Sequence, residues 1–189
     1  MDFINPSTPN EVCDILAKHG KGCALHAGGT DLVVQLREKR RNPELIANLG
    51  SVEGLRSIKI ANSGSLWIGS MASLSEVAAD PTVRSRYRAL FQAVQSIGSV
   101  QIRNRATLVG NVCTASPAAD SLPALLLFDA MVHLLGAKGS RCVALQEFLK
   151  GPGEVSLGEG EFVCAIELPH PEAESESAYL VPIQKWVMI

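Results

Sequence analysis

The chain has 189 residues, of which 47% are hydrophobic and 19% charged, and its formal net charge is −2. These values fit one folded domain or two small packed lobes, and they exclude the low-hydrophobicity, high-charge pattern of disorder. With a net charge of −2 and no run of about 18 or more uncharged apolar residues, neither nucleic-acid binding nor membrane insertion is expected.

The N-terminal stretch "MDFINPSTPN" has neither a basic leader nor an apolar signal core, so a cytoplasmic location is expected. Thr8-Pro9-Asn10-Glu11 predicts a helix start: Thr8 caps, Pro9 suits the first turn, and Glu11 reaches back three residues. Val12, Ile15 and Leu16 share one face of this helix, and Gly20 and Gly22 end it. "CALHA" then reads as a short buried strand entering the glycine pair of "AGGTDL", and a second helix begins near Thr30 or Asp31. Leu32, Val33 and Leu36 form its apolar face, Asp31 is expected to cap it, and it must stop before Pro43. The basic run Arg37 to Arg41 falls at its end, where cations offset the negative pole of the helix dipole. "ELIANL" is a second strand. Strand, helix and strand together have the size of a parallel crossover, which places residues 1–53 in a small N-terminal βαβ lobe.

From Leu55 the pattern changes to a larger mixed lobe over residues 54–171. "IKI" and "LWIG" alternate around the turn "ANSGS" and predict a hairpin. Ser73 and Glu76 have capping-box spacing, and Tyr87, Leu90, Phe91 and Val94 predict one helix over 84–97. Residues 101–126, "QIRNRATLVGNVCTASPAADSLPALL", read as a long polar loop running into an apolar helix opened by Asp120, Ser121 and Pro123. Such a loop inside a compact domain is usually functional. Gly110 and Asn111 are expected to expose backbone N–H groups, and Thr107 and Thr114 to offer hydroxyls. Asp120 is expected to accept bonds from sugar-like hydroxyls, to cap its helix, or to do both. "MVHLL", "RCVAL" and "EFVCAIEL" follow as strands. The five cysteines, Cys13, Cys23, Cys113, Cys142 and Cys164, show no Cys-x-x-Cys spacing, so buried thiols rather than a metal site are expected.

Taken alone, "AGGTDL" fits an ordinary strand-to-helix turn as well as a phosphate cradle, because glycine is needed wherever φ is positive. The cradle reading has the glycines letting a ligand approach while free N–H groups at the next helix start point at its phosphate. His26 beside the turn either faces the ligand or is a solvated or core-capping side chain.

Three segments in this order, "ALHAGGTDL", "QIRNRATLVGN" and "TASPAAD" leading into an apolar helix, resemble the FAD-binding subunit or domain of the molybdenum hydroxylases, of the xanthine dehydrogenase and carbon monoxide dehydrogenase type. The similarity runs from near Phe3 to about Pro169. It implies an α+β fold, the two-lobed FAD-binding fold of the vanillyl-alcohol oxidase or PCMH type, with non-covalent FAD between the lobes. By the same resemblance, Leu25, His26, Ala27, Gly28, Gly29, Thr30, Asp31 and Leu32 wrap the pyrophosphate. Thr107, Leu108, Val109, Gly110 and Asn111 form a second cradle, while Asp120, Ile97 and Val163 match further cofactor-contact positions. No catalytic side chain and no metal ligand are implied. The resemblance makes the chain an oxidoreductase subunit that relays electrons from iron–sulfur clusters on a partner subunit to an acceptor such as NAD+, oxygen or a carrier. Molybdopterin belongs to another partner subunit.

The chain departs from the family pattern at several positions. Val109 stands where the second motif usually has the first of two glycines, and a β-branched residue resists positive φ. Leu180 replaces a basic residue. Residues 172–189 form a tail ending in Trp186, Val187, Met188 and Ile189, and the family's C-terminal domain is missing. These departures support an alternative reading, a truncated or degenerate flavin-fold domain acting as a scaffold or binding module. A free-standing flavin oxidase with FAD attached through His26 is a further reading.

Overall fold

The structure, a computed structural model, describes residues 1–171 together with Ser177 and Ala178. The remaining tail residues, among them Leu180 and Trp186 to Ile189, lie outside the described residues.

The chain opens with strand β1 (Asp2–Ile4), which the sequence pattern did not predict, and helix α1 (Pro9–His19). The Thr8 hydroxyl accepts from the Glu11 N–H at 3.3 Å, and the Glu11 carboxylate accepts from the Ser7 N–H at 2.7 Å, so the expected capping extends one residue further back. Strand β2 (Cys23–His26), helix α2 (Thr30–Arg37) and strand β3 (Leu45–Asn48) form the predicted crossover. The three strands make a parallel sheet in the order β1-β3-β2, with Asp2 opposite Leu45 and Cys23 opposite Leu45 from the other side.

Strands β4 (Ile58–Ile60) and β5 (Leu66–Gly69) form the predicted hairpin. Helix α3 (Leu74–Ala79) starts at the capping box of Ser73 and Glu76, with both reciprocal hydrogen bonds present. The single helix predicted over 84–97 is instead two, α4 (Pro81–Arg86) and α5 (Arg88–Ser96), broken at Tyr87. Tertiary contacts override helical spacing here: Tyr87 is buried, its ring meets Phe128 edge-on, and its hydroxyl lies 2.9 Å from the Pro169 carbonyl oxygen.

The expected polar loop is also largely helical, holding α6 (Val100–Arg103), α7 (Leu108–Thr114) and the start of α8 (Ser121–Leu127). Strands β6 (Met131–Gly136) and β7 (Gly139–Ala144) follow, then the short helix α9 (Leu145–Phe148), the unpredicted pair β8 (Leu149–Gly151) and β9 (Glu154–Val155), and β10 (Glu161–Leu168). An antiparallel sheet forms in the order β4-β5-β10-β6-β7, with a bulge between Val163 and Ala165.

One face of this sheet carries Leu66, Ile68, Val132, Leu134, Ile166 and Leu168 into a core shared with α3, α5, α7 and α8. The other face is partly covered by α1, whose Val12, Cys13 and Leu16 pack with Phe162 and with Cys23 and Ala47 of the parallel sheet. Beyond α1 that face is polar. The Glu167 carboxylate lies 2.7 Å from the His133 ring, accepts from the Ser65 hydroxyl, and the His133 ring packs on Trp67.

Ser70 is 2% exposed and its hydroxyl has no partner among the described residues. An unsatisfied buried hydroxyl costs about 1–3 kcal/mol, so Ser70→Ala raises the unfolding free energy by roughly 1 kcal/mol, whereas Ser73→Ala, which removes the capping box, lowers it by about the same amount. Urea titrations of both variants check this.

Glu76, Glu161 and Glu167 are each held below the ordinary glutamate range. The Arg141 guanidinium does so for Glu161 and the Ser65 hydroxyl, then His133, for Glu167; for Glu76, burial opposes the lowering by the Ser73 N–H and Arg56. A carboxyl with a depressed folded value stabilises the fold above its unfolded value and loses that contribution as pH falls through the folded value. Stability therefore drops as pH falls below about 4.3, and the gap between the wild type and Glu167→Gln narrows over that range in pH-dependent urea melts.

Candidate functional site

The site grows from one turn. Strand β2 ends at His26, and Ala27, Gly28 and Gly29 turn the chain into α2. A Cβ on Gly28 would lie 2.1 Å from the Arg105 carbonyl oxygen, so this turn touches the backbone of the segment just before α7. Gly29 has φ +79°, ψ −4° and is the residue from which α2 starts. That left-handed conformation suits glycine and turns successive N–H groups to one side. From Gly28 to Leu32 no backbone N–H has a partner among the described residues; the first bonded amide is Val33, to the Gly29 carbonyl at 3.0 Å. Five donors at the positive pole of α2 form a ready anion site.

Across from the turn stands α7. Thr107, Gly110, Asn111 and Thr114 recur at helical spacing and share one side, while Leu108, Val109 and Val112 are buried in the core on the other. The Thr107 hydroxyl accepts from the Gly110 N–H at 3.0 Å and its carbonyl from the Asn111 N–H at 3.0 Å. The N–H groups expected to be exposed are thus used inside the helix, because the segment is a capped helix and not a loop. What α7 offers instead is side chains. The Asn111 carbonyl oxygen accepts from the buried Ser121 hydroxyl at 2.6 Å, which turns the Asn111 amide donor outward as assigned from this network. The Thr114 hydroxyl lies 3.0 Å from the Asp31 carboxylate and 3.0 Å from the Gly110 carbonyl. Asp31 therefore links α2 to α7 and makes no cap; the cap position belongs to Gly29, whose missing side chain leaves the amides open.

Between these walls lies a cavity of about 600 Å³, within the usual size for a small-molecule site. Leu25, Ala27, Gly28, Gly29, Thr30, Asp31, Leu32, Ile97, Thr107, Gly110 and Asn111 line it, bringing together residues some eighty positions apart. Leu108, Val109 and Val163 are instead buried in the core. Val109 is 4% exposed on a helix without positive φ, so the strain expected of a β-branched residue in a glycine position does not arise. His26 packs behind the turn, its ring nitrogen 2.5 Å from where a Gly29 Cβ would stand and its other nitrogen 3.4 Å from the Asn48 side-chain oxygen. Asp120 precedes α8 without capping it and accepts from the Ser96 hydroxyl at 3.3 Å.

The cavity wall also contains Gln35, Arg41, Ile102, Ala106, Cys113, Thr114 and Gly153. Of these, Cys113 and Thr114 follow Gly110 by three and four residues, which places them on the same side of α7. Gly153 enters from the β8–β9 turn, its N–H bonded to the Ala115 carbonyl at 2.9 Å, and carries no local signal. Burial pushes the Cys113 thiol up to about 12, so it stays neutral and acts as an apolar wall. Ile97 is held in place by the Arg103 guanidinium, which donates to the Ile97 and Gly98 carbonyls at 3.0 and 2.9 Å.

These residues fit a flavin dinucleotide. The five free amides and the α2 pole match a pyrophosphate, the Asn111 amide and Thr hydroxyls match sugar-like hydroxyls, and Ile97, Ile102, Ala106 and Leu25 supply flat apolar wall. Among the described residues no group of three or more His, Cys, Asp or Glu side chains is arranged to hold a metal ion, and no helix is long and apolar enough to cross a membrane.

Comparison with known proteins agrees. Residues 1–171 match the family model described as FAD binding domain in molybdopterin dehydrogenase. The chain is 36% identical over 178 residues to the xanthine dehydrogenase FAD-binding subunit of Escherichia coli O157:H7, covering 94% of this chain and 61% of that protein. It is 31% identical over 182 residues to the nicotinate dehydrogenase FAD-subunit of Eubacterium barkeri, with the same two coverages. Among solved structures, a carbon monoxide dehydrogenase from Hydrogenophaga pseudoflava superposes with a TM-score of 0.87 at 26% identity, over 92% of this chain and 60% of that one. The chain thus spans about three fifths of the length of the curated relatives it matches. The fold is the expected α+β fold of the PCMH type, the cofactor that goes with it is FAD, and the chain belongs to the family of FAD binding domains in molybdopterin dehydrogenases.

Proposed function

We propose that this chain holds FAD non-covalently in the cleft between α2 and α7 and serves as the flavoprotein component of a molybdenum hydroxylase. In that role it relays electrons from iron–sulfur clusters of a partner subunit, itself supplied by a molybdopterin subunit, to NAD+, oxygen or a carrier. The observation that carries the reading is the run of five unpartnered amides, Gly28 to Leu32, facing a wall built by Thr107, Gly110 and Asn111. Residues 1–53 and 54–171 act as the two lobes that meet at this cleft.

When bound, the flavin supplies the redox chemistry, and the protein sets position, electronics and solvent access. The amides of Gly28 to Leu32 hold the pyrophosphate by hydrogen bonds and the helix pole. The Asn111 amide, oriented by Ser121, donates to a cofactor hydroxyl or carbonyl. Ile97, Ile102 and Ala106 exclude water from one side. No side chain acts as acid or base. Two features support the redox component over a degenerate scaffold and over a covalent flavin: Val109 is an ordinary core residue of α7, and His26 packs behind the turn against Asn48.

Titrating the purified chain with FAD tests the reading. Saturable quenching of flavin fluorescence and a yellow protein that releases free FAD on denaturation are expected; a colourless chain that ignores added FAD defeats it. Gly28→Ala forces the turn away from Arg105, so it destabilises the fold by on the order of 2 kcal/mol and abolishes FAD binding in the same titration. Val109→Gly, which restores the glycine pair, lowers stability by about 2–4 kcal/mol and leaves FAD affinity no tighter than in the wild type.

A further inference from the structure

The basic run from Arg37 to Arg41 divides into separate roles. Arg37 lies in the last turn of α2, as the dipole argument expects, and Arg40 pairs with Glu38. Arg41 does neither. After α2 the chain turns back through Lys39 at φ +56°, and the N–H groups of Arg40 and Arg41 both donate to the Gln35 carbonyl, at 2.9 and 3.3 Å. This reversal returns Arg41 to the cavity, which it lines beside Gln35. Its guanidinium has no ion pair or side-chain hydrogen bond among the described residues.

Of the described residues lining the cavity, Arg41 is the sole cation and Asp31 the sole anion. The lining is therefore neutral with Arg41 and carries one negative charge without it. We propose that Arg41 is the charge partner of the anionic phosphates of the dinucleotide in this cleft, and that it makes the site selective for a phosphorylated flavin over a neutral one. The inference rests on the FAD reading above. Asp31 would otherwise repel a ligand bearing about two negative charges, since the α2 pole supplies only about half a positive charge. Arg41 cancels that repulsion through space and needs no direct contact to do so. In a site intermediate between water and protein interior, one charge of this kind changes affinity on the order of tenfold.

The test is fluorescence titration of the full chain with FAD and with riboflavin, which lacks phosphate, at low and high sodium chloride. Wild type, Arg41→Gln and Arg41→Lys are compared, with thermal melts recorded for each. Expected for Arg41→Gln are about tenfold weaker FAD binding, a flatter salt dependence and unchanged riboflavin binding, with Arg41→Lys close to wild type. An Arg41→Gln chain with wild-type FAD affinity and salt slope overturns the inference, as does an equal loss for FAD and riboflavin. A wild-type chain that binds no FAD at either salt overturns the cofactor reading itself and this assignment with it.

Discussion

The contact between Gly28 and the backbone of Arg105 and Ala106 is the constraint around which the cleft is organised. A methyl group at Gly28 would overlap the Arg105 carbonyl, so two segments far apart in sequence meet main chain to main chain. That distance fixes where α2 begins relative to α7. Gly29 then does a separate job, supplying the left-handed residue that starts α2 and leaves its first amides open. The glycine pair is thus one residue for approach and one for direction, and the row of open amides follows from both.

Helix α7 completes the arrangement by being amphipathic in an unusual sense. Its core face of Leu108, Val109 and Val112 is buried against the antiparallel sheet, and its other face is a ladder of small polar side chains. Apolar burial anchors the helix, and the polar face is free to serve the cleft. Every polar group on it is fixed by a neighbour: Thr107 by the Gly110 amide, Asn111 by Ser121, Thr114 by Asp31. Fixed donors need little reorganisation when a ligand arrives.

Much of this was legible in the sequence where the signal is local. The crossover over "CALHA", α2 and "ELIANL", the hairpin around "ANSGS", the capping box at Ser73 and the glycine turn all follow from period and turn chemistry. The segment before α8 was not, because seven residues with Gly, Asn and Thr have weak helix propensity and are helical only through their packing. Asp31 misled for a related reason: its position matches a cap, yet its partner lies on a helix eighty-three residues away. Arg41 and Gly153 required the path of the chain after α2 and after β8, which no periodicity encodes. Of the positions implied by the family resemblance, five, His26, Leu108, Val109, Asp120 and Val163, are not part of the cavity wall.

Helix α1 lies in contact with both sheets, packing Val12, Cys13 and Leu16 against Phe162 on one side and Cys23 and Ala47 on the other. The two sheets are therefore joined behind the cleft by one apolar core, and spreading them would expose Val12, Leu16 and Phe162 to water. On the cleft side the walls are linked by the exposed hydrogen bond from the Thr114 hydroxyl to the Asp31 carboxylate, while the spacing between the sheets is set by the buried core behind it.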